Sequence, residues 1–128
     1  MGRSQMRYLL DTHIFLWWLS GDKKLNQKTV ELIKNPQNQI FVSVASAWEI
    51  SIKRKIGKIS LKTTIEECFK TSSFMILDIT LNHILELDTL PLHHSDPFDR
   101  ILVAQARTEN FTFVTDDVKI KKYELKIV

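Results

Sequence analysis

Hydrophobic residues form short runs along the chain, separated by stretches in which they recur every three or four positions. The short runs predict strands at residues 7–10, 40–42, 74–79, 111–115 and 126–128. The helical spacing, together with start and stop signals, predicts helices at residues 12–19, 26–35, 44–56, 64–72, 80–87, 96–109 and 117–122. Strands of nearly continuous apolar content that alternate with helices predict an α/β domain, in which helices cover both faces of a mainly parallel sheet.

The length of 128 residues suits one domain. We expect residues 6–128 to form it, and residues 1–5 to be an N-terminal extension or an expression remnant. No apolar run approaches the ~20 residues of a membrane span, and no apolar signal segment opens the chain. The single Cys68 fits a reducing compartment. We therefore expect a cytoplasmic protein without membrane association.

Acidic residues follow two of the predicted strands directly. Asp11 comes after the first strand, and Thr115, Asp116 and Asp117 come at the end of the run FTFVT and just beyond it. Sites in parallel α/β sheets lie outside the carboxyl ends of the strands, so these acids are candidate site residues. The alternative is that each one only caps a helix or stabilises a turn.

Glu49 lies within the predicted helix 44–56, beside the arc of apolar residues that includes Val44 and Trp48. This position predicts a half-buried carboxylate. The alternative is an ordinary ion pair with Lys53, one helical turn later, worth about 0.2–0.5 kcal/mol.

The segment DPFDR opens the longest C-terminal helix. Asp96 suits the N-cap position and Pro97 the first helical position. Asp99 shares its helix face with Leu102 and Val103, which must pack on the sheet. A carboxylate at the head of an apolar stripe is unfavourable unless it is paired, protonated or bound to a metal.

Separate segments thus bring acids to one predicted edge of the sheet: Asp11, Glu49, Asp99, and Asp116 or Asp117. Clustered carboxylates repel one another, and Mg²⁺ or Mn²⁺ would remove the repulsion through oxygen ligands. His13, His93 and His94 lack the spacing of a zinc motif, and we expect them to be loop residues.

The net charge is +3, and the rest of the surface is more basic still if the clustered acids hold a metal. Such an excess suits nucleic acid. The basic run at residues 53–55, with Lys58, is either a solvated helix face or a guide for a phosphate backbone. We expect Trp17, Trp18 and Trp48 to lie in the core or at an interface.

Three stretches of the chain carry a family resemblance: YLLDTHIFLWWLSGDKKL, VSVASAWEISIKRKIGKISL and LPLHHSDPFDRILVAQARTENFTFVTDD. In their order and spacing they resemble the PIN-domain ribonucleases, and closely the VapC-type toxins of type II toxin–antitoxin systems. The resemblance implies a PIN-like α/β/α sandwich. It assigns the catalytic and metal-binding roles to Asp11, Glu49, Asp99 and Asp117. Asp96, Thr12, Thr115 and Asp116 take supporting roles, Asp116 at a variable position of the motif, so either Asp116 or Asp117 faces the metal.

The resemblance further implies an endoribonuclease that depends on Mg²⁺ or Mn²⁺, forms a homodimer, cleaves RNA and is inhibited by a cognate antitoxin. One alternative is a solitary PIN-domain nuclease in RNA processing. A phosphatase or receiver domain is disfavoured, because His13 replaces the second aspartate of the phosphatase motif and acids replace the receiver lysine after FTFV. In a non-catalytic binding module, the acids would serve only as caps.

Overall fold

The computed structural model describes residues 6–128, so the expectation for residues 1–5 lies outside the described residues. The strands are β1 (Arg7–Leu10), β2 (Gln39–Ser43), β3 (Met75–Leu77) and β4 (Thr112–Val114). The helices are α1 (Thr12–Ser20), α2 (Gln27–Lys34), α3 (Val44–Lys55), α4 (Ile65–Ser72), α5 (Leu81–Thr89) and α6 (Pro97–Thr108), followed by a 3₁₀ helix at Ile120–Lys122. The sheet has the order β3-β2-β1-β4, and every strand pair is parallel. The predicted α/β class with a parallel sheet is confirmed.

The C-terminal elements are less regular than the sequence pattern predicts. The helix predicted at residues 117–122 is reduced to the 3₁₀ turn Ile120–Lys122. The predicted last strand forms one isolated bridge, between Phe113 and Ile127. Its backbone still pairs with the edge of the sheet, because the N–H of Val128 donates to the carbonyl of Phe113 at 2.9 Å. The edge is therefore covered by a short extended segment.

Alternating side chains of the strands build two cores, one on each face of the sheet. Leu9 of β1 packs with the buried residues of α6, while Tyr8 and Leu10 face the other way, toward α1, α2 and α4. This alternation follows from the two-residue period of a strand. Helices on both faces confirm the α/β/α sandwich. Within residues 6–128, no helix is both long and apolar enough to cross a membrane.

The parallel register brings the ends of the strands to one edge. Leu10 of β1 is the partner of Val114 of β4, so Asp11 and Thr115 leave the sheet at the same level. At the end of β2, Ser43 starts α3, and its hydroxyl accepts a hydrogen bond from the N–H of Ala45 at 3.0 Å. The ends of β1 and β4 and the start of α3 thus place side chains at the carboxyl ends of the strands.

Candidate metal centre

Asp11 occupies the N-cap position of α1, but its side chain makes no capping hydrogen bond. The residue is buried, with 3% of its surface exposed. The hydroxyl of Thr115 donates to Oδ2 of Asp11 at 2.7 Å, and Oδ1 has no hydrogen-bond partner. Capping therefore does not explain this aspartate. Burial raises its pKa, although the bond from Thr115 acts in the opposite direction.

Glu49 lies in the second turn of α3 and is more deeply buried than the sequence pattern predicts, with 2% exposed. Its Oε2 accepts a hydrogen bond from Nζ of Lys53 at 2.5 Å, while Oε1 is buried without a partner. The ion pair weighed as an alternative is thus present, but it satisfies only one of the two oxygens. Burial alone would lower the pKa of Lys53, but Glu49, Asp96 and Asp99 outweigh it and raise the pKa.

The two aspartates of DPFDR have different surroundings. Oδ1 of Asp96 accepts hydrogen bonds from the N–H groups of Phe98 at 2.8 Å and Asp99 at 3.1 Å, which confirms Asp96 as the N-cap of α6. The carboxylate of Asp99 instead points toward the other acids. Burial, followed by the charges of Asp11, Asp96, Glu49 and Asp117, raises the pKa of Asp99 to about 8.

The two aspartates after β4 differ in their exposure and in their contacts. Asp116 is exposed, whereas Asp117 is partly buried and its Oδ2 lies 3.0 Å from Nε2 of His94. The N–H of Asp117 donates to the Thr115 hydroxyl at 3.0 Å, and its Oδ1 accepts from the N–H of Lys119 at 2.9 Å. Burial would raise the pKa of Asp117, but the bonds from Lys119 and His94 outweigh it and lower the pKa.

These contacts join the predicted acids into one network, hereafter the acid cluster: Asp11, Glu49, Asp99 and Asp117. Thr115 connects Asp11 to Asp117, and His94 connects Asp117 to Asp99. Glu49 belongs to it through its charge, which raises the pKa of both Asp11 and Asp99.

The acid cluster fits a hard divalent cation. Asp11 and Glu49 each present a buried carboxylate oxygen without a partner, which is unfavourable unless something binds it. One ligand atom from each of Asp99, Asp117 and His94 lies within 4.8 Å of the others. A set of four carboxylates matches Mg²⁺ or Mn²⁺, which take oxygen ligands, and the raised pKa values of Asp11 and Asp99 reflect burial together with the negative charge crowded there.

Two side chains differ from the expectation. The hydroxyl of Thr12 pairs with that of Ser46 at 2.8 Å and contacts no acid of the cluster, so it braces α1 against α3. His94 does lie in a loop, as expected, but its imidazole also contacts two of the acids. The sequence does place His94 two residues before Asp96, the N-cap of α6. Because the cap fixes where the loop meets the helix, this spacing could have indicated that His94 lies near the acids.

The three tryptophans lie in different surroundings. Trp17 and Trp18 are half-buried and pack on the core beside α1, as expected. Trp48 is 61% exposed, so it does not lie in the core, and its ring centroid is 5.1 Å from that of Phe98, with the two rings nearly perpendicular. A surface hollow of about 420 Å³, lined among others by Glu86 and Arg107, contains none of the four acids.

Comparison with known proteins agrees with this architecture. The family model described as "PIN domain" matches residues 8–126. A solved structure of VapBC2 from Rickettsia felis bound to a promoter DNA fragment is similar over 96% of this chain and 98% of that chain, with a TM-score of 0.72 and 21% identity. A toxin–antitoxin complex from Klebsiella pneumoniae is similar over 94% and 95%, with a TM-score of 0.67 and 19% identity.

A DNA-bound VapBC from Salmonella typhimurium is similar over 97% of this chain and 98% of that chain, with a TM-score of 0.69 and 13% identity. At these identities the similarity concerns the fold. No curated protein gives a significant match. Since the family model covers nearly all of the described residues, the chain belongs to the PIN domain family.

Proposed function

We propose that this protein is a metal-dependent endoribonuclease that acts as the toxin of a toxin–antitoxin pair. PIN domains are nucleases, and the chain belongs to that family. The observation that carries the proposal is the acid cluster, in which two buried carboxylate oxygens, on Asp11 and Glu49, have no partner. Acids that only capped helices would not need this arrangement.

In the proposed reaction, Asp11, Glu49, Asp99 and Asp117 hold Mg²⁺ or Mn²⁺. When bound, the cation activates water and offsets the charge on the phosphate oxygens. Thr115 fixes the orientation of Asp11, and the backbone N–H of Lys119 fixes that of Asp117. Attack by water, without a 2′-hydroxyl nucleophile, leaves a 5′-phosphate and a 3′-hydroxyl on the products.

The surface beside the acid cluster suits a polyanionic substrate. Lys53 pairs with Glu49, and the residues that follow it on α3, Arg54 and Lys55, are exposed. Lys58 is exposed just beyond the end of the helix. Exposed cations on, and just beyond, the helix that carries Glu49 favour contact with an RNA backbone.

The proposed toxin role rests on the similar structures, which are VapBC or toxin–antitoxin complexes. We propose by analogy that a cognate antitoxin inhibits this protein in the cytoplasm and that the protein forms a homodimer. The second candidate is a solitary PIN-domain nuclease in RNA processing, which the family match supports equally. Growth arrest on expression, relieved by co-expression of a small protein encoded beside it, would distinguish the toxin.

The decisive experiment is cleavage of total cellular RNA by the purified protein, with Mg²⁺ or Mn²⁺ and with EDTA. Asp11→Asn and Asp99→Asn should abolish metal-dependent cleavage. Asp88→Asn, at an exposed aspartate on α5, is the matched control and should cleave normally. Cleavage that persists in EDTA or in Asp99→Asn would overturn the proposal, as would product ends that carry a 2′,3′-cyclic phosphate.

A further inference from the structure

The imidazole of His94 lies between two carboxylates from different elements. Its Nε2 is 3.1 Å from Oδ2 of Asp99 and 3.0 Å from Oδ2 of Asp117. Asp99 belongs to the first turn of α6, and Asp117 follows β4. A single nitrogen therefore contacts both acids.

The other ring nitrogen identifies what Nε2 does. The backbone N–H of Asp96 donates to Nδ1 of His94 at 3.0 Å. Because a backbone N–H only donates, Nδ1 must present its lone pair and carries no proton. The proton of the neutral ring is then on Nε2, so Nε2–H donates to Oδ2 of Asp117, lies 3.1 Å from Oδ2 of Asp99 and offers no lone pair to a cation.

The loop that carries His94 is held by contacts independent of the acids. The hydroxyl of Tyr123 accepts hydrogen bonds from the N–H of His94 at 3.0 Å and from Nη1 of Arg100 at 3.1 Å. The same Nη1 donates to the carbonyl of Pro91 at 3.0 Å. The imidazole is therefore placed by the fold before any ligand arrives.

We propose that His94 is a positioning residue whose Nε2–H holds the carboxylates of Asp99 and Asp117 side by side, so that the lone pairs remaining on both carboxylates can bind a divalent cation. This inference rests on the proposed function. Two neighbouring carboxylates repel each other, and an N–H placed between them offsets that repulsion at a fixed separation. Hydrogen-bond partners of metal ligands typically contribute about 10–100-fold to metal affinity.

The position of the ring proton is tested first, on the metal-free full-length protein. Long-range ¹H–¹⁵N correlation spectra distinguish the two neutral tautomers, and the signals of His94 are identified by their loss in His94→Gln. We expect a protonated Nε2 and an unprotonated Nδ1. A protonated Nδ1 would overturn the inference, since Nε2 would then have a lone pair for a cation.

Binding of Mn²⁺, measured from the EPR signal of the free ion, tests the consequence without any RNA. We expect His94→Ala to weaken binding about 10–100-fold. His94→Gln, whose amide N–H₂ reaches a similar position, should recover part of the loss. The neighbouring His93 is exposed and contacts no acid of the cluster, so His93→Ala is the matched control and should bind normally.

Each outcome decides between the inference and the proposed function. Unchanged Mn²⁺ affinity in His94→Ala overturns the inference and leaves the nuclease assignment intact. Nitrogen coupling to bound Mn²⁺ in pulsed EPR, lost in His94→Gln, would make His94 a ligand and also overturn it. If the unaltered protein binds no Mn²⁺, the proposed function fails, and the role of His94 in presenting the acids to a cation fails with it.

Discussion

Thr115 and Asp11 are 104 positions apart in the chain, yet the hydroxyl of Thr115 donates to Oδ2 of Asp11 at 2.7 Å. Both follow strands that pair with each other in the sheet, with Leu10 beside Val114. Because the other oxygen of Asp11 has no partner, this bond is the main restraint on a buried carboxylate. It sets which oxygen faces the rest of the acid cluster.

Replacing Thr115 by valine should destabilise the protein and weaken metal binding. The hydroxyl donates to a buried carboxylate, and losing such a bond to a charged group costs about 1.5–3 kcal/mol. Mn²⁺ affinity should fall by about 10-fold or more. Thr115→Ser keeps the hydroxyl and should retain both properties. Urea unfolding and Mn²⁺ titration measure the two effects, and equal behaviour of Val and Ser variants would contradict the role of this bond.

The stability of the metal-free protein should depend on pH through Asp99. Its pKa is raised from 3.8 to about 8 on folding, so between these values the folded state holds a proton that the unfolded state releases. Stability is therefore lost as pH rises through the folded pKa. Asp99→Asn does not titrate, so its advantage over the unaltered protein should be near zero below the ordinary carboxyl pKa of 3.8, grow as pH rises toward the folded pKa of about 8, and reach about 1 kcal/mol or more above it.

Urea unfolding in EDTA, at one pH near the ordinary carboxyl pKa of 3.8 and one above the folded pKa of about 8, measures this difference. The exposed Asp88→Asn is the control and should show the same small difference at both pH values. If the advantage of Asp99→Asn does not grow with pH, its carboxylate is not held protonated by the cluster.

Lys53→Met should destabilise the metal-free protein by about 1–3 kcal/mol. It leaves Glu49, which is 3% exposed at its side chain, without its cation. Breaking a fully buried ion pair costs about 3–5 kcal/mol of stability. The loss expected here is smaller because the side chain of Lys53 is 27% exposed. Added Mn²⁺ should restore part of the stability by neutralising Glu49.

Thermal unfolding with and without Mn²⁺ follows this effect, with Lys55→Met as the control at an exposed lysine of the same helix. An unchanged Lys53→Met would mean that Glu49 does not need its lysine partner.

Asp117→Asn should lose metal-dependent cleavage, whereas Asp116→Asn should retain it. Asp117 contacts His94 inside the acid cluster, and Asp116 is exposed to solvent. Parallel RNA cleavage assays of the two variants decide between the neighbours. Loss of activity in Asp116→Asn alone would mean that the segment after β4 turns the other way when RNA and metal bind.

The sequence pattern predicts the α/β fold well because strands buried on both faces and capped helices have strong local signals. The N-cap role of Asp96 and the burial of Asp99 follow from one helix start. The pattern also brings the four acids to one edge, because the ends of parallel strands coincide. Their roles as ligands remain predictions.

The contacts that organise the acids are less predictable. The direction of His94 depends on a loop held by Tyr123 and Arg100, which no periodicity encodes. The hydroxyl of Thr12 hydrogen-bonds with that of Ser46, and this contact depends on how α1 packs against α3. The last strand is reduced to a bridge because only one residue pair meets the sheet in register.

β4 is the last strand of the sheet to be synthesised, and it lies directly beside the first, β1. A nascent chain that has not reached Thr115 therefore lacks the partner of Asp11, and it also lacks Asp117. Three of the four acids are present by then, but the acid cluster is incomplete until β4 and the segment after it have been synthesised. Under the proposed function, the growing chain is therefore not expected to cleave RNA before this segment has been added.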